Sequence, residues 1–215
     1  MTPLIPARRW IPRAVNGLGG LEPVLDLCGL SFPKKIHVRI AILRDRRTPL
    51  GMTATPSAAK GPLDELQHLL WTEARVTLAG GHDRIRVLRD TPPDSALRVR
   101  RSSDGSGRAD DYFRSHLRDA RGSVFGYAEP VTVFLAHEVA ADPDGCHCAT
   151  SAGYVVLERA RIERGSRMLA HGIAHACGLR HVGDETNLMF PRRHGRELRR
   201  RQKTILRNSP HVTHF

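Results

Sequence analysis

Hydrophobic and polar residues alternate along several short stretches of the chain, the pattern that predicts β-strands. The clearest stretch is 36–44, where isoleucine or valine occupies positions 36, 38, 40 and 42. A weaker alternation runs through 83–89, and a brief one through 96–99. The stretch 131–136, VTVFLA, is apolar almost throughout, which is typical of a strand buried on both faces of a sheet. Residues 153–157 are similarly apolar, and we expect another strand there.

A longer apolar repeat with the period of an α-helix lies between these strands. It runs over 62–78, where Pro62 suits the first turn and a glycine pair suits the end. We expect a second helix near 110–119, although its apolar positions are less regular. A helix capped by Ser166 and a terminal helix over 197–208 complete the predicted set.

Strands and helices in this order predict an α/β (α+β) fold built on a mixed sheet. A chain of 215 residues is long enough for one domain with a full core. Residues 1–33 contain prolines and glycines without a sustained period, so we expect an irregular N-terminal extension. Residues 34–215 then form the domain. Polar stretches at 45–61 and 142–149 are expected to be loops.

Residues 168–191, MLAHGIAHACGLRHVGDETNLMFP, concentrate the candidate chemistry. His171 and His175 are four positions apart, so on a helix they share one face, about one turn apart. Gly178 is expected to end this helix, because glycine adopts the left-handed conformation that a sharp turn needs. The turn would bring His181 back towards the other two histidines. Three neutral imidazoles with one open position form the arrangement of a catalytic zinc site.

Residues 171–181, HGIAHACGLRH, resemble the zinc motif of the metzincin metallopeptidases, H-E-x-x-H-x-x-G-x-x-H. Residues 187–191, NLMFP, look like the Met-turn of that family. The resemblance implies a twisted mixed sheet, a zinc-site helix, a Met-turn and a C-terminal helix. It also implies a Zn²⁺ ion held by the three histidines, a peptide or protein substrate, and Met189 as an apolar floor under the metal. Pro191 stands where some metzincins place a tyrosine that supports the transition state.

The general-base glutamate of that family is replaced by Gly172 in this chain. In the family, zinc polarises the scissile carbonyl and activates water, while the glutamate takes the water's proton. A positioned general base contributes typically ~10²–10⁴-fold to the rate. The resemblance therefore implies a zinc metallopeptidase-like protein that is impaired or inactive, or a zinc-stabilised module that binds peptides without cleaving them. Asp184 and Glu185 offer substitute carboxylates, and the simpler interpretation places them in a solvated loop.

The chain is strongly basic, with a formal charge of +12 that comes mostly from arginine. Such a charge favours acidic partners, although an arginine-rich surface without a partner is the plainer interpretation. Arg192 and Arg193 lie where the resemblance places the wall beside the scissile bond, which would favour acidic residues in a bound peptide. Nucleic-acid binding is the less favoured alternative, because aromatic residues are few and no reading motif is present. We expect a monomer.

The four cysteines, Cys28, Cys146, Cys148 and Cys177, allow three complete pairings. No apolar run is long enough to cross a membrane, and the first thirty residues lack the apolar core of a secretory signal. Reduced thiols and a cytoplasmic location are therefore the default, whereas the resemblance implies export. In an exported protein, a bond from Cys146 or Cys148 to Cys177 would clamp the preceding loop onto the site helix. Cys146-His147-Cys148 alone is a weak signal for a second metal site.

Overall fold

The computed structural model describes residue 28 and residues 32–80, 84–99, 106–118, 129–139, 146–149, 153–163, 165–191 and 195–214. The strands are β1 Lys34–Ile42, β2 Val76–Ala79, β3 Ile85–Val87, β4 Arg98–Val99, β5 Val131–Ala136, β6 Glu138–Val139, β7 Cys146–Ala149, β8 Tyr154–Glu158 and β9 Val212–Thr213. The helices are α1 Pro56–Ala74, α2 Asp94–Leu97, α3 Ser106–Arg118, α4 Arg159–Ile162, α5 Arg167–Ala176 and α6 Arg200–Arg207. The predicted extension over 1–33 lies outside the described residues, except for Cys28, Phe32 and Pro33.

A mixed, mainly parallel sheet forms the centre of the molecule, in the strand order β2-β1-β5-β8-β7. The pairs β1–β2, β1–β5 and β5–β8 are parallel, while β7 runs antiparallel to β8. Strands β3 and β9 also pair with β1, and β4 pairs with β6 in a separate small sheet. The predicted α/β fold with a mixed sheet is confirmed.

Apolar side chains cover both faces of this sheet. On β1, Ile36 and Ile40 are buried in a core that also contains residues of α1 and α5. Ala41 and Leu43 point to the other face and join a second core with residues of α2 and α3. Strand β5 is buried at every position, as its apolar sequence predicts. The helix that carries the histidines therefore packs on one face of a sheet that is supported from the other.

Helix α1 begins earlier than the prediction over 62–78, at Pro56. Thr55 caps the helix, because its hydroxyl accepts a hydrogen bond from the backbone N–H of Ala58. The fixed backbone angle of Pro56 suits the first position of a helix. Pro62 therefore lies inside the helix and does not begin it. The prediction was wrong because two prolines compete for the first turn, and the capping threonine decides between them.

Helix α1 also ends before the predicted glycine pair, at Ala74. Arg75 adopts a left-handed backbone with a φ of 54°, and its N–H bonds back to Leu70 and Trp71 carbonyls. The Arg75 guanidinium lies 5.1 Å from the centre of the Trp71 ring, a cation–π contact that favours this uncommon conformation. The chain then continues directly into β2 instead of prolonging the helix.

Three other boundaries differ from the predictions. The short element predicted at 96–99 is a helical turn, α2, followed by the two-residue strand β4. Helix α3 begins at Ser106, ahead of the predicted 110–119. The predicted loop 142–149 contains β7, because its last four residues pair antiparallel with β8. The pattern of β7, CHCA, has no strongly apolar face, so alternation alone does not indicate this strand.

The terminal helix α6 lies within the predicted range 197–208 and packs by a narrow apolar side. Leu198 and Leu206 are buried, whereas Ile205, which was expected on the same side, is 41% exposed. None of the helices that the structure describes combines the length and apolar character needed to cross a membrane.

Candidate metal centre

Helix α5 ends in a tight glycine turn that brings the third histidine back to the first two. Gly178 has a φ of 96°, in the left-handed region that glycine adopts without strain. The Gly178 N–H bonds to the His175 carbonyl at 2.8 Å, and the Leu179 N–H bonds to the Ala174 carbonyl at 3.0 Å. These two bonds form a Schellman motif. The chain reverses here, as the sequence predicts, and His181 comes to lie beside the helix.

The Nε2 atoms of the three histidines converge on one point. His175 Nε2 lies 3.0 Å from His171 Nε2 and 2.9 Å from His181 Nε2. His171 Nε2 and His181 Nε2 are 3.2 Å apart. A group of at least three histidine, cysteine, aspartate or glutamate side chains whose ligand atoms lie close together could hold a metal ion. Among the described residues, the three histidines form the group that meets this condition.

Backbone carbonyls fix the orientation of two of these rings. His171 Nδ1 lies 2.8 Å from the Leu188 carbonyl oxygen, and His175 Nδ1 lies 2.9 Å from the Leu179 carbonyl oxygen. A carbonyl only accepts hydrogen bonds, so each Nδ1 carries the proton and donates it. In the neutral imidazole, Nε2 then carries a lone pair. Two lone pairs that face each other at 3.0 Å repel unless a cation lies between them.

The spacing of the three nitrogens fits zinc. Nitrogen ligands at about 2.0–2.1 Å from a tetrahedral zinc ion lie roughly 3.3 Å from one another. The observed Nε2 separations of 2.9–3.2 Å are slightly shorter, as expected where the rings close towards a common point. Hydrogen bonds from Nδ1 to carbonyls are also a usual arrangement around metal-binding imidazoles. The three histidines form a site that can bind zinc.

Burial decreases across the group, from His171, which is 1% exposed, through His175 to the exposed His181. Removal of its ring from water lowers the pKa of His171 to about 3, and the positive charges of nearby groups act in the same direction. His171 is therefore unprotonated at neutral pH, which is the form that binds a metal. The group is open to solvent on the side of His181.

The segment 187–191 contacts His171 through the Leu188 carbonyl and is held by side-chain amides. Met189 is fully buried, and its backbone N–H donates to the Asn187 side-chain oxygen at 2.9 Å. The Asn187 and Gln202 amides exchange two hydrogen bonds, at 2.8 and 3.1 Å, which tie this segment to α6. Pro191 follows at a half-buried position. The loop that presents the Leu188 carbonyl to His171 is thus fixed from the side of α6.

No carboxylate belongs to the metal-holding group in the part of the chain that the structure describes. Gly172, at the position of the missing general base, is buried in α5. Asp184 is committed elsewhere: its Oδ1 accepts hydrogen bonds from Thr186, and its Oδ2 accepts one from Arg199 at 3.1 Å. These contacts lower the pKa of the Asp184 carboxyl. Glu185 is exposed, so the loop interpretation of both acids fits the structure.

Some predicted residues have other roles or lie outside the described part. Ser166 makes no capping hydrogen bond to α5, and its hydroxyl donates instead to the Glu65 carboxylate at 2.8 Å. The Cys177 thiol is free and buried, and its burial raises its pKa to about 12. Arg192 and Arg193 lie outside the described residues, as do the side chains of 146–148.

Sequence reasoning missed one residue of this site, Arg167. It occupies the first position of α5, and its guanidinium donates hydrogen bonds to backbone carbonyls of the loop that contains Leu188. A cation at the N-terminus of a helix opposes the helix dipole, and the first turn of α5 contains no acidic residue. That unfavourable placement was the available signal that Arg167 serves a purpose other than helix formation.

Comparisons with known proteins find structural likenesses at low sequence identity and assign no family. No family model matches the chain, and no curated protein matches it. A zinc-dependent peptidase from Methanocorpusculum labreanum (strain Z) is 12% identical, with a TM-score of 0.49, over 78% of this chain and 99% of that one. Metalloproteinase-II from Bacteroides fragilis is 14% identical, with a TM-score of 0.41, over 79% of this chain and 50% of that one. At such identities and TM-scores, these likenesses assign neither a family nor an activity.

Proposed function

We propose that this protein is a zinc metallopeptidase-like protein whose metal is bound by His171, His175 and His181. The observation that carries the proposal is the convergence of the three Nε2 atoms within 3.2 Å of one another, with two rings oriented by carbonyls. A peptide or protein as substrate or ligand is supported by the resemblance of 171–181 and 187–191 to the metzincin motif.

Zinc bound at such a site supplies Lewis acidity, which polarises a carbonyl group and activates water for attack. The chain itself supplies the ligand geometry. Leu188 and Leu179 hold the His171 and His175 rings with Nε2 directed to the common point. The fully buried Met189 supports an apolar floor under the site, as the resemblance to the metzincin motif implies. Gly178 sets the reversal that places His181.

The chain does not supply a general base at position 172. A peptidase without its general base loses about 10²–10⁴-fold in rate. Gly172 has no side chain, and the Asp184 oxygens are occupied by Thr186 and Arg199. We therefore propose hydrolysis that is slow or absent, by a protein that acts alone as a monomer.

A second function, a non-catalytic zinc-stabilised module that binds peptides, is favoured by the same observation about the carboxylates. A metal site without a proton acceptor can still hold the loop and helix together, and it can still accept a peptide carbonyl. The two functions share their metal ligands and differ in whether the cleft supports chemistry once a base is present. Substitution at Gly172 separates them, as described in the Discussion.

Metal analysis of the purified protein tests the common part of both proposals. We expect about one zinc per chain, bound through nitrogen at about 2.0–2.1 Å. His175→Ala should lose most of this zinc. His137→Ala is the matched control, because His137 is bonded to Asp45 away from the histidine group. Equal zinc in wild type and His175→Ala would contradict the assignment.

A further inference from the structure

Arg167 links the first turn of α5 to the loop that orients His171. Its Nη2 donates to the Leu188 carbonyl at 3.1 Å and also to the Phe190 carbonyl. Its Nε donates to the Gly195 carbonyl at 3.2 Å. One half-buried guanidinium therefore gathers three backbone carbonyls that lie up to 28 positions away in the sequence.

The Leu188 carbonyl is the shared element between Arg167 and the metal site. A carbonyl oxygen has two lone pairs and can accept two hydrogen bonds. One bond comes from His171 Nδ1 at 2.8 Å, and the other comes from Arg167 Nη2 at 3.1 Å. Both acceptor positions are thus used, so the direction of this carbonyl is set jointly by the guanidinium and the imidazole.

Backbone contacts hold the two ends of the loop independently of Arg167. The ends of the loop are already joined, because the Leu188 N–H bonds to the Glu197 carbonyl and the Glu197 N–H bonds to the Thr186 carbonyl. Gly195 lies so close to Thr186 and Asn187 that a Cβ there would be 2.3 Å from the Asn187 carbonyl oxygen. These contacts fix where the loop starts and ends. Arg167 fixes the carbonyls that point from it towards α5.

We propose that Arg167 is a positioning residue of the metal site: its guanidinium holds the Leu188 carbonyl in the direction that orients the His171 ring for metal binding. This inference rests on the proposed function, because it requires that His171 is a ligand. Partners that orient a metal-binding imidazole typically contribute about 10–100-fold to metal affinity. Loss of Arg167 should therefore weaken zinc binding by that factor.

The sign of the effect separates positioning from simple electrostatics. A guanidinium near the site repels a Zn²⁺ ion, so its removal by itself would tighten zinc binding. Loss of positioning would weaken it. We expect Arg167→Gln to bind zinc about 10–100-fold more weakly than wild type in competition with a chromophoric chelator. Arg167→Lys should lie between them, because an ammonium can still donate to the Leu188 carbonyl but cannot span all three acceptors.

Arg200→Gln is the matched control. Arg200 is the first residue of α6, as Arg167 is of α5, and it is exposed. Its substitution removes the same charge from the same helix position without touching the loop carbonyls. Zinc affinity in Arg200→Gln should equal that of wild type, and it calibrates any long-range effect of charge.

Two further measurements respond to ring orientation and not to general stability. The visible spectrum of the Co²⁺-loaded protein should change shape in Arg167→Gln and stay unchanged in Arg200→Gln. In the metal-free protein, the His171 Nδ1 proton should exchange with solvent faster in Arg167→Gln, since its acceptor is no longer held, and at an intermediate rate in Arg167→Lys. If Arg167→Gln does not fold, Arg167→Lys carries the same tests.

Failure of this inference and failure of the proposed function give different results. Wild type that binds no zinc at the histidines would remove the proposed function, whatever the variants do. Zinc bound by wild type, together with equal or tighter binding and an unchanged Co²⁺ spectrum in Arg167→Gln, would overturn the positioning role alone.

Discussion

Histidines occupy two contrasting settings in this protein. His137 bonds to the Asp45 carboxylate at 2.8 Å, and His116 bonds to the Asp90 carboxylate at 3.0 Å. At the candidate metal centre, His171 and His175 bond instead to backbone carbonyls, and their Nε2 atoms face each other. A carboxylate partner stabilises a protonated ring, whereas a carbonyl partner fixes the tautomer of a neutral one. The carbonyl bond alone does not mark the metal centre, because His211 Nδ1 also lies 2.8 Å from the Glu129 carbonyl; what marks it is the convergence of the Nε2 atoms.

The difference also shows what the metal centre lacks. The Asp90 and Asp45 carboxylates contact histidines in the structural pairs, whereas the metal-holding group found among the described residues consists of three histidines. Zinc bound there would be surrounded by neutral ligands only, which favours Lewis acidity over strong neutralisation of its charge. The described residues therefore form a group that can bind a metal, and we propose that this group lacks a proton acceptor.

The largest expected effect comes from giving the metal centre the carboxylate that it lacks. Gly172→Glu should raise peptide hydrolysis by about 10²-fold or more, because a general base at this position accepts the water's proton. Replacement of a helical glycine also removes about 1 kcal/mol of helix penalty, which offsets part of the cost of placing a carboxylate at this buried position. Cleavage of a mixed peptide library, with and without chelator, measures the gain.

Gly172→Gln is the control for this gain, because glutamine has the size of glutamate without a proton acceptor. Hydrolysis should stay at the parental level in Gly172→Gln, and His171→Ala should abolish the gain in Gly172→Glu. A folded, zinc-loaded Gly172→Glu protein without chelator-sensitive cleavage would favour the peptide-binding function over the peptidase.

The next effect is the dependence of stability on metal. A ligand that binds only the folded state at about 100 times its Kd adds about 2.7 kcal/mol to the free energy of unfolding. For a chain of this size, that corresponds to roughly 5–10 °C in Tm. Chelation should therefore lower Tm by this amount in wild type and in His137→Ala, and have no effect in His175→Ala. An unchanged Tm in wild type after demonstrated zinc removal would indicate that the histidines are incidental.

The fold could be predicted where the sequence pattern reflects burial directly. Strand β1 alternates because its isoleucines and valine are buried while His37 and Arg39 between them are only half-buried, and β5 is apolar throughout because it is buried at every position. The start of α1 could not be read from apolar spacing, since the decision between Pro56 and Pro62 depends on the Thr55 cap. Strand β7 forms because it pairs with β8, and the sequence of β7 alone does not predict this pairing.

Part of the metal centre could likewise be predicted from the sequence, and part could not. The spacing of His171, His175 and His181 around Gly178 is local, so sequence alone predicts that these residues meet. The bonds from His171 and from Arg167 to the Leu188 carbonyl depend instead on how the loop returns to α5. Leu188 is 17 positions from His171 and 21 positions from Arg167. Local spacing cannot predict a bond made to a backbone atom, because every residue offers the same carbonyl.

A smaller effect is expected at the structural pair of Asp45 and His137. The hydrogen bond from the Arg47 backbone N–H, and to a smaller extent the hydrogen bond from the His137 side chain, hold the pKa of the Asp45 carboxyl below its usual range. A lowered folded-state pKa stabilises the protein above the unfolded pKa of about 3.9, and this stabilisation is lost as the pH falls through the folded value. Asp45→Asn should lower the free energy of unfolding by about 1 kcal/mol at neutral pH. It should also reduce the fall in the free energy of unfolding as the pH is lowered.

Measurements of the free energy of unfolding between about pH 2 and about pH 6 test this expectation. Zinc stoichiometry should be the same in Asp45→Asn and wild type, because the pair lies outside the metal-holding group. A fall in stability with pH that is unchanged by the substitution would show that Asp45 does not contribute to it.

The smallest effect is expected at Asp184, the acid considered as a substitute base. Its bond to Arg199 is exposed to solvent, and such surface pairs contribute little to stability. Asp184→Asn should leave the free energy of unfolding and any residual hydrolysis unchanged within error. A loss of hydrolysis of about 10²-fold in this variant would instead identify Asp184 as the proton acceptor.

X-ray absorption spectroscopy of the zinc-loaded protein tests the central claim most directly. We predict a first shell of nitrogen and oxygen at about 2.0–2.1 Å, with the outer scattering of three imidazole rings. His137→Ala should give the same spectrum. Sulfur scattering at about 2.3 Å would contradict the account, because it would show that cysteine binds the metal in place of one or more of His171, His175 and His181.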